Sequence, residues 1–456
     1  MKKRIHTVWL AVLAMLLPMW VQAQSQVLEN YIQQGLAANL ALRNRELAVQ
    51  QSEEQIRQAK GMMLPSVSFN ATYTRALGGR SISLPIGDLM NPVYSTLNQL
   101  TQSNQFPQIE NVKEQFLPDN FHDTRFRVVQ PLYNTDLRYN KLLREQSAVI
   151  PQAAQAVHAH QLRYDIEQAY YRHLQTLEAL RIYRASLGVV QELHRVTQRL
   201  VDNHKVTLDA VYNTEYELSK IETEIVRAEK NVRLSANYFN FLLQRDLDAE
   251  IIADTALLQS GDLAPQPLEF YLQNALAQRQ EPAQLAAAMQ VNSTLLAMQE
   301  SNRKLPNVGL AIDAGAQGFG YKFNGEQWYA LAGLQLNWPI FSGYQKLSKE
   351  QETKLQGLEL ANQMELLRQQ IQLQVAQSRH ELTAALKSRE QAQKAVESTR
   401  SAFRIVQRKY EENQAIQLEL FDARNKLESA EMSLSIARLE VLLREAELRR
   451  AVGGLR

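Results

Sequence analysis

The chain has no cysteine among its 456 residues. That absence excludes disulfides, thiolate metal sites, cysteine nucleophiles and a lipid-bearing N-terminal cysteine. Glycine and proline are scarce, at 17 and 13 residues, while Gln, Leu, Ala, Glu and Arg abound, which is the composition of long helices. An excess of one charge is missing too: 50 basic residues balance 48 acidic ones, so nothing asks for nucleic acid as a partner. No stretch reaches about 18 uninterrupted apolar residues, which excludes a transmembrane helix. Catalytic constellations are also lacking. His158 and His160 sit two apart on a helix and point different ways, a poor metal pair. No Ser-His-Asp set or Gly-rich phosphate loop has a supporting context, so the expectation is a non-enzyme without cofactor or metal.

What is present begins with an address. Lys2, Lys3 and Arg4 precede an apolar run from Val8 to Leu17, then Pro18 and the small-residue site Val21-Gln22-Ala23. Basic flank, short apolar run and cleavage site together predict a signal peptide over 1–23 and therefore export.

The rest is written twice. Leu64-Pro65-Ser66-Val67-Ser68-Phe69 is answered by Leu305-Pro306-Asn307-Val308-Gly309-Leu310. Gln130-Pro131-Leu132-Tyr133 is answered by Trp338-Pro339-Ile340-Phe341, and Leu208-Asp209-Ala210-Val211 by Leu418-Glu419-Leu420-Phe421. The order is the same in both halves, and a linker signal stands between them at Pro265-Gln266-Pro267. The expected organisation is a first repeat over 24–264 and a second over 265–456. The first holds a helix at 27–63, strands at 66–75 and 122–131, and a helical hairpin at 136–247. The second holds helices within 268–304, strands at 307–317 and 327–338, and a hairpin at 344–451.

The hairpins have a seven-residue rhythm. Leu162, Ile166, Ala169, His173, Thr176 and Leu180 alternate steps of four and three, as do Ile371, Val375, Ser378, Leu382, Ala385 and Arg389. A sustained heptad keeps one seam against a neighbour, and its small and polar members suit a packed cylinder better than a zipper. His173 and His194 fall on that seam and are read as hydrogen-bonded packing residues. Turns are expected at Asp202-Asn203-His204 and Glu412-Asn413-Gln414, with asparagine in the left-handed position that ends a helix. A helix from Asp136 to Val201 would run roughly 100 Å at 1.5 Å per residue, far longer than a compact globule needs.

Four segments switch to period two. Val67, Phe69, Ala71 and Tyr73 make one apolar face; Phe126 and Val128 begin another. Val308, Leu310, Ile312 and Ala314 make the third, and Trp328, Ala330, Ala332, Leu334, Leu336 and Trp338 the fourth. Each is about 9 to 11 residues, the length of a tilted strand crossing the hydrocarbon layer, with polar or small residues between. Trp328 and Trp338 mark the two ends, where aromatic belts meet the interface. Phe69, Tyr73, Trp328 and Trp338 are thus the expected lipid-facing aromatics. Four strands with open edges cannot sit in lipid, so oligomerisation must close the wall. The connection 75–122, rich in Pro, Gly, Asn and Gln, is expected as a long outer loop partly covering the mouth.

The Leu-Pro junctions, Gln130-Pro131-Leu132-Tyr133, the run Trp338-Pro339-Ile340-Phe341-Ser342-Gly343 and both tip motifs resemble the TolC-like outer-membrane factor family over essentially the whole mature chain. The resemblance implies a mostly helical homotrimer whose twelve-stranded β-barrel continues into a long coiled-coil α-barrel. It implies the outer membrane of a Gram-negative bacterium and contact with its lipid. It further implies a periplasmic adaptor protein and an inner-membrane transporter of RND or ABC type. Carried over by position, Glu419 and Asp422 line the periplasmic aperture, three apart on one helix face. Trimerisation would bring six carboxylates together, each pair about 8 Å apart repelling by roughly 2 kcal/mol at an effective dielectric of 20. Asp209 and Tyr410 match the partners that latch the closed tip, but the latch's arginine position is Ala415. Asn203, Leu208, Asn413 and Leu418 fall on the helical-tip turns and the adaptor-docking motif, the asparagines where the family often has glycine.

The preferred function is drug or small-molecule efflux. Type I protein secretion is the alternative within the class, and a periplasmic coiled-coil scaffold or adaptor the alternative outside it. A scaffold explains the heptads but neither the strands nor the repeat.

Overall fold

The computed structural model describes residues 26–254, 257, 266–412 and 414–454. The signal-peptide expectation, Pro265 of the linker and Asn413 lie outside the described residues. The helices are α1 (Gln26–Ala38), α2 (Leu40–Gly61), α3 (Ile86–Thr101), α4 (Thr135–Ser147), α5 (Val149–Asp202), α6 (Asp209–Leu242), α7 (Leu268–Gln278), α8 (Glu281–Lys304), α9 (Gln345–Glu411) and α10 (Gln417–Val452). The strands are β1 (Ser66–Thr74), β2 (Ser81–Leu84), β3 (Val112–Gln115), β4 (Phe121–Tyr133), β5 (Asn307–Phe319) and β6 (Trp328–Asn337). Two compact units interleave the repeats: one takes Met1–Ser52, Ser147–Met289 and Leu358–Arg456, the other Glu53–Gln146 and Gln290–Gly357.

The helical unit is held by the heptad seams. Leu162, Ile166, Ala169, Ile371, Val375 and Leu382 are all buried. The polar seam positions pair with one another, since a buried polar group left unpaired is costly. His173 Nδ1 lies 2.9 Å from Ser235 Oγ, and His194 Nδ1 lies 2.7 Å from Thr214 Oγ1. One core cluster gathers Tyr31, Ile32, Ile166, Tyr170, Leu174 and Phe239 from α1, α5 and α6. Tyr31 and Phe239 meet edge-on, ring centroids 5.2 Å apart. The hydroxyl of Tyr170 donates to the Ile252 carbonyl at 2.9 Å and accepts the Asp254 N–H at 2.9 Å. Burial pushes that phenol up to about 12.

Two helices expected as continuous are interrupted, and the 268–304 stretch is two helices, as expected. The stretch expected as one helix from 136 breaks at Ala148, just before Pro151, whose ring cannot donate to the Ser147 carbonyl. At Asn39 the side-chain Oδ1 accepts the N–H groups of Ala41 and Leu42, restarting the helix as α2. Between α7 and α8, Arg279 turns extended (ψ 141°), with Pro282 early in the next helix. The 67-residue α9 has no such interruption and spans about 100 Å at 1.5 Å per residue.

In the second unit β1, β4, β5 and β6 form one antiparallel sheet in the order β1-β4-β5-β6. Its register aligns Phe69, Phe126, Ala314 and Ala330 across all four strands, and likewise Val67, Val128, Ile312 and Ala332. Residues directly opposite share a face, so the four alternating patterns build one apolar surface. The other face carries Asp123, Arg125, Arg127, Asp313 and Tyr329. There Arg125 pairs with Asp123 at 2.9 Å, Arg127 with Asp313 at 2.9 Å, and the Tyr329 hydroxyl donates to Asp123 at 3.1 Å. Among the described residues β1 and β6 each pair on one side only. The 75–122 connection is not a plain loop. It holds the β2–β3 ladder and the 16-residue α3.

Candidate functional site

The two helical turns define the tip. After α5, Lys205 N–H bonds the Leu200 carbonyl at 2.8 Å and His204 N–H the Val201 carbonyl at 2.8 Å, a Schellman closure. The left-handed residue is His204 (φ 55°), not Asn203, whose φ is −93°. Asn203 instead turns its amide back to the Arg199 carbonyl at 2.7 Å. After α9 the Gln414 N–H reaches the Lys409 carbonyl at 2.7 Å, the same six-residue return. Leu208 and Leu418 are exposed where α6 and α10 begin. Asp209 is exposed in the first turn of α6, beside helix N–H groups that favour a negative charge.

Glu419 and Asp422 are both exposed in the opening turns of α10. Asp422 does not stand alone: Lys426 Nζ lies 2.6 Å from its Oδ2. The acid–base spacing of four in the sequence is the signal for this pair. Tyr410 is buried with Leu193 and Leu420, packed by Phe403, Phe421 and Ala415. Its hydroxyl lies 3.1 Å from Thr197 Oγ1, so within one chain Tyr410 is engaged by α5 and not by Asp209. A cavity of about 200 Å³ opens beside this cluster, lined by Val189, Val196, Phe403, Tyr410, Phe421 and Arg424.

The two turns are joined by contacts that the motifs did not announce. Gln417 Nε2 donates to the Ala210 carbonyl at 3.0 Å, and the buried Arg424 donates to Glu217 at 3.0 Å. Both contacts tie α10 to α6. Of the expected lipid-facing aromatics, Phe69, Tyr73 and Trp328 are exposed on the sheet's apolar face, and exposed Trp338 follows the last residue of β6. Tyr73 OH donates to Asn120 Oδ1 at 2.7 Å. At the same end of the sheet His122 is fully buried beneath Tyr321 and Phe323, its ring 4.4 Å from that of Tyr321. No group of three or more metal-binding side chains occurs among the described residues.

The site therefore comprises a helical tip with exposed carboxylates and, in the other unit, a membrane-length sheet with one apolar and one charged face. Residues 271–454 match the family model described as outer membrane efflux protein. The fold is similar to the MtrE outer membrane channel of Neisseria gonorrhoeae, solved in its open state. That match has 17% identity and a TM-score of 0.75, covering 94% of this chain and 89% of that one. It is also similar to the outer membrane protein VceC of Vibrio cholerae, with 15% identity, 94% and 96% coverage and a TM-score of 0.72. The Campylobacter jejuni CmeC outer membrane channel gives 12%, 94% and 86%, and 0.73. No curated protein is significantly similar in sequence. The structural likenesses carry the fold alone. The family match covers the second half of the chain, and over the whole described chain the fold is similar to that of these outer membrane channels.

Proposed function

We propose that this homotrimer is the exit duct of a tripartite pump, most directly one for drugs and other small molecules. It docks by its helical tips to a periplasmic adaptor and thereby to an inner-membrane transporter. The observation that supports the reading best is the sheet: four membrane-length strands, two open edges, one apolar face and one charged face. In hydrocarbon each unpaired edge group costs several kcal/mol, so the wall is completed by copies of itself. Three copies of four strands make a barrel of twelve.

The periplasmic aperture in this reading is the ring of Glu419 and Asp422. Because Lys426 accompanies Asp422, Glu419 supplies most of the uncompensated negative charge. A ring of that sign in a constriction favours cations and yields to salt. Planar-bilayer recording tests it. Glu419→Ala with Asp422→Ala should raise conductance and lower cation preference, with Glu419→Ala alone giving the larger part. Unchanged selectivity would remove these residues from the aperture. Cargo and partners are read separately. Crosslinking at Leu208 and Leu418 should capture an adaptor, and deletion should sensitise cells to small toxic compounds; loss of an exported protein instead would assign type I secretion.

A further inference from the structure

The 75–121 connection carries a built module. Its ladder pairs Ser81 with Gln115 and Leu84 with Val112, and its helix α3 is fixed by side chains that bond a returning strand of chain at 106–111. Asn91 donates to the Ile109 carbonyl at 2.9 Å and accepts the Ile109 N–H at 2.9 Å. Asn98 does the same with Phe106, at 2.7 and 3.1 Å. Asp88 and Asn111 exchange two more bonds, at 3.0 and 2.9 Å. Gly87 completes this side, where a Cβ would strike the Ile109 carbonyl. The polar face of α3 is therefore consumed inside the module.

The opposite face is apolar and uncovered. Ile86, Leu89, Met90, Val93, Leu97 and Leu100 follow the i, i+3, i+4, i+7 spacing of one helical stripe. Leu89 is 69% and Leu100 77% exposed. A helix meant for water buries that stripe; this one engages its half-buried asparagines and displays most of its apolar residues, with Leu97 half-buried. Two features decide what covers it. A helix lying on an anionic membrane surface carries Lys or Arg on its polar face, and α3 has none. Its one charge is Asp88, already bonded, so copies of α3 meet along the stripe without like-charge repulsion. Moreover, the module springs from β1, the open edge that must join a neighbouring copy.

We propose that the α3 stripes of the three subunits pack against one another and close the outer mouth, giving the channel an apolar gate in addition to its carboxylate aperture. The inference rests on the trimeric-channel reading. The cysteine-free sequence allows a clean test. Single variants Leu89→Cys, Val93→Cys and Leu100→Cys should form subunit-to-subunit disulfides on mild oxidation of intact cells. Ser95→Cys, on the consumed face, should not. Trimer formation is scored independently by the heat-modifiable band. Trimers that react with a maleimide at all three stripe positions yet never crosslink overturn the gate while leaving the channel intact. Absence of any trimer overturns the channel reading itself. In crosslinking-competent trimers that already carry Glu419→Ala with Asp422→Ala, Leu89→Asp with Val93→Asp should raise single-channel conductance at least several-fold further; an unchanged conductance in that background would also refute closure.

Discussion

The sheet and the helical seams use the same kinds of residue in opposite directions. In the helical unit Ile166, Val375 and Phe239 are out of contact with solvent, while charges such as Arg181 and Glu178 pair on the outside. In the sheet Phe69 and Leu334 are exposed, at 60% and 70%, while Arg127 and Asp313 pair across the other face. A single burial rule would make one of these regions misfolded. The difference is what the proposed channel requires, water around the helices and hydrocarbon outside the strands.

The helical half of that contrast breaks most severely at its core. Phe239→Ala removes a fully buried ring between Tyr31 and Tyr170 and should cost about 3–5 kcal/mol. Urea unfolding followed by helical circular dichroism would register the loss. A change below about 1 kcal/mol would mean that the α1, α5 and α6 contact is not the anchor of this unit.

The sheet half breaks by exchanging its solvent preference. Leu334→Arg puts a cation on the apolar face and should cost about 2–4 kcal/mol of insertion into lipid vesicles, depending on depth. Gln335→Arg, the next residue and on the opposite face, should fold nearly as well as the native chain. Equal penalties at the two positions would show that the sheet does not separate lipid from lumen.

Much of this contrast was legible in residue order alone. Period-two alternation in Val67 to Tyr73 and Trp328 to Leu336 specifies both strand and face, because a slip of one residue would reverse every side chain. The seams at Ile166 and Val375 follow from heptads for the same reason. The tip was less legible. That His204 and not Asn203 takes the left-handed place depends on where α5 runs out of carbonyl partners, a one-residue matter that propensity does not fix. Arg424–Glu217 joins residues 207 apart, and no local pattern announces a pair formed by two hairpins lying side by side. The α3 module escaped because its helix opens at Pro85, contains Pro92 and is fixed by asparagines, all of which read as loop.

The smallest expected effect sharpens the comparison from inside the helical unit, where a titratable group occupies a seam position. His173 is buried with its Nδ1 against Ser235, and burial holds its pKa below the ordinary imidazole value. The unfolded chain therefore takes up a proton near pH 6.5, where the folded chain does not. Stability contributed by the neutral ring is complete above that pH and declines as pH falls toward the folded value, with a slope of up to about 1.4 kcal/mol per pH unit. His173→Gln keeps a hydrogen bond to Ser235 without a titration. Its unfolding midpoint should lose the part of the acid dependence that native protein shows below pH 6.5. If the two proteins follow parallel curves there, the seam tolerates an imidazolium, and the helical interior is wetter than its packing implies.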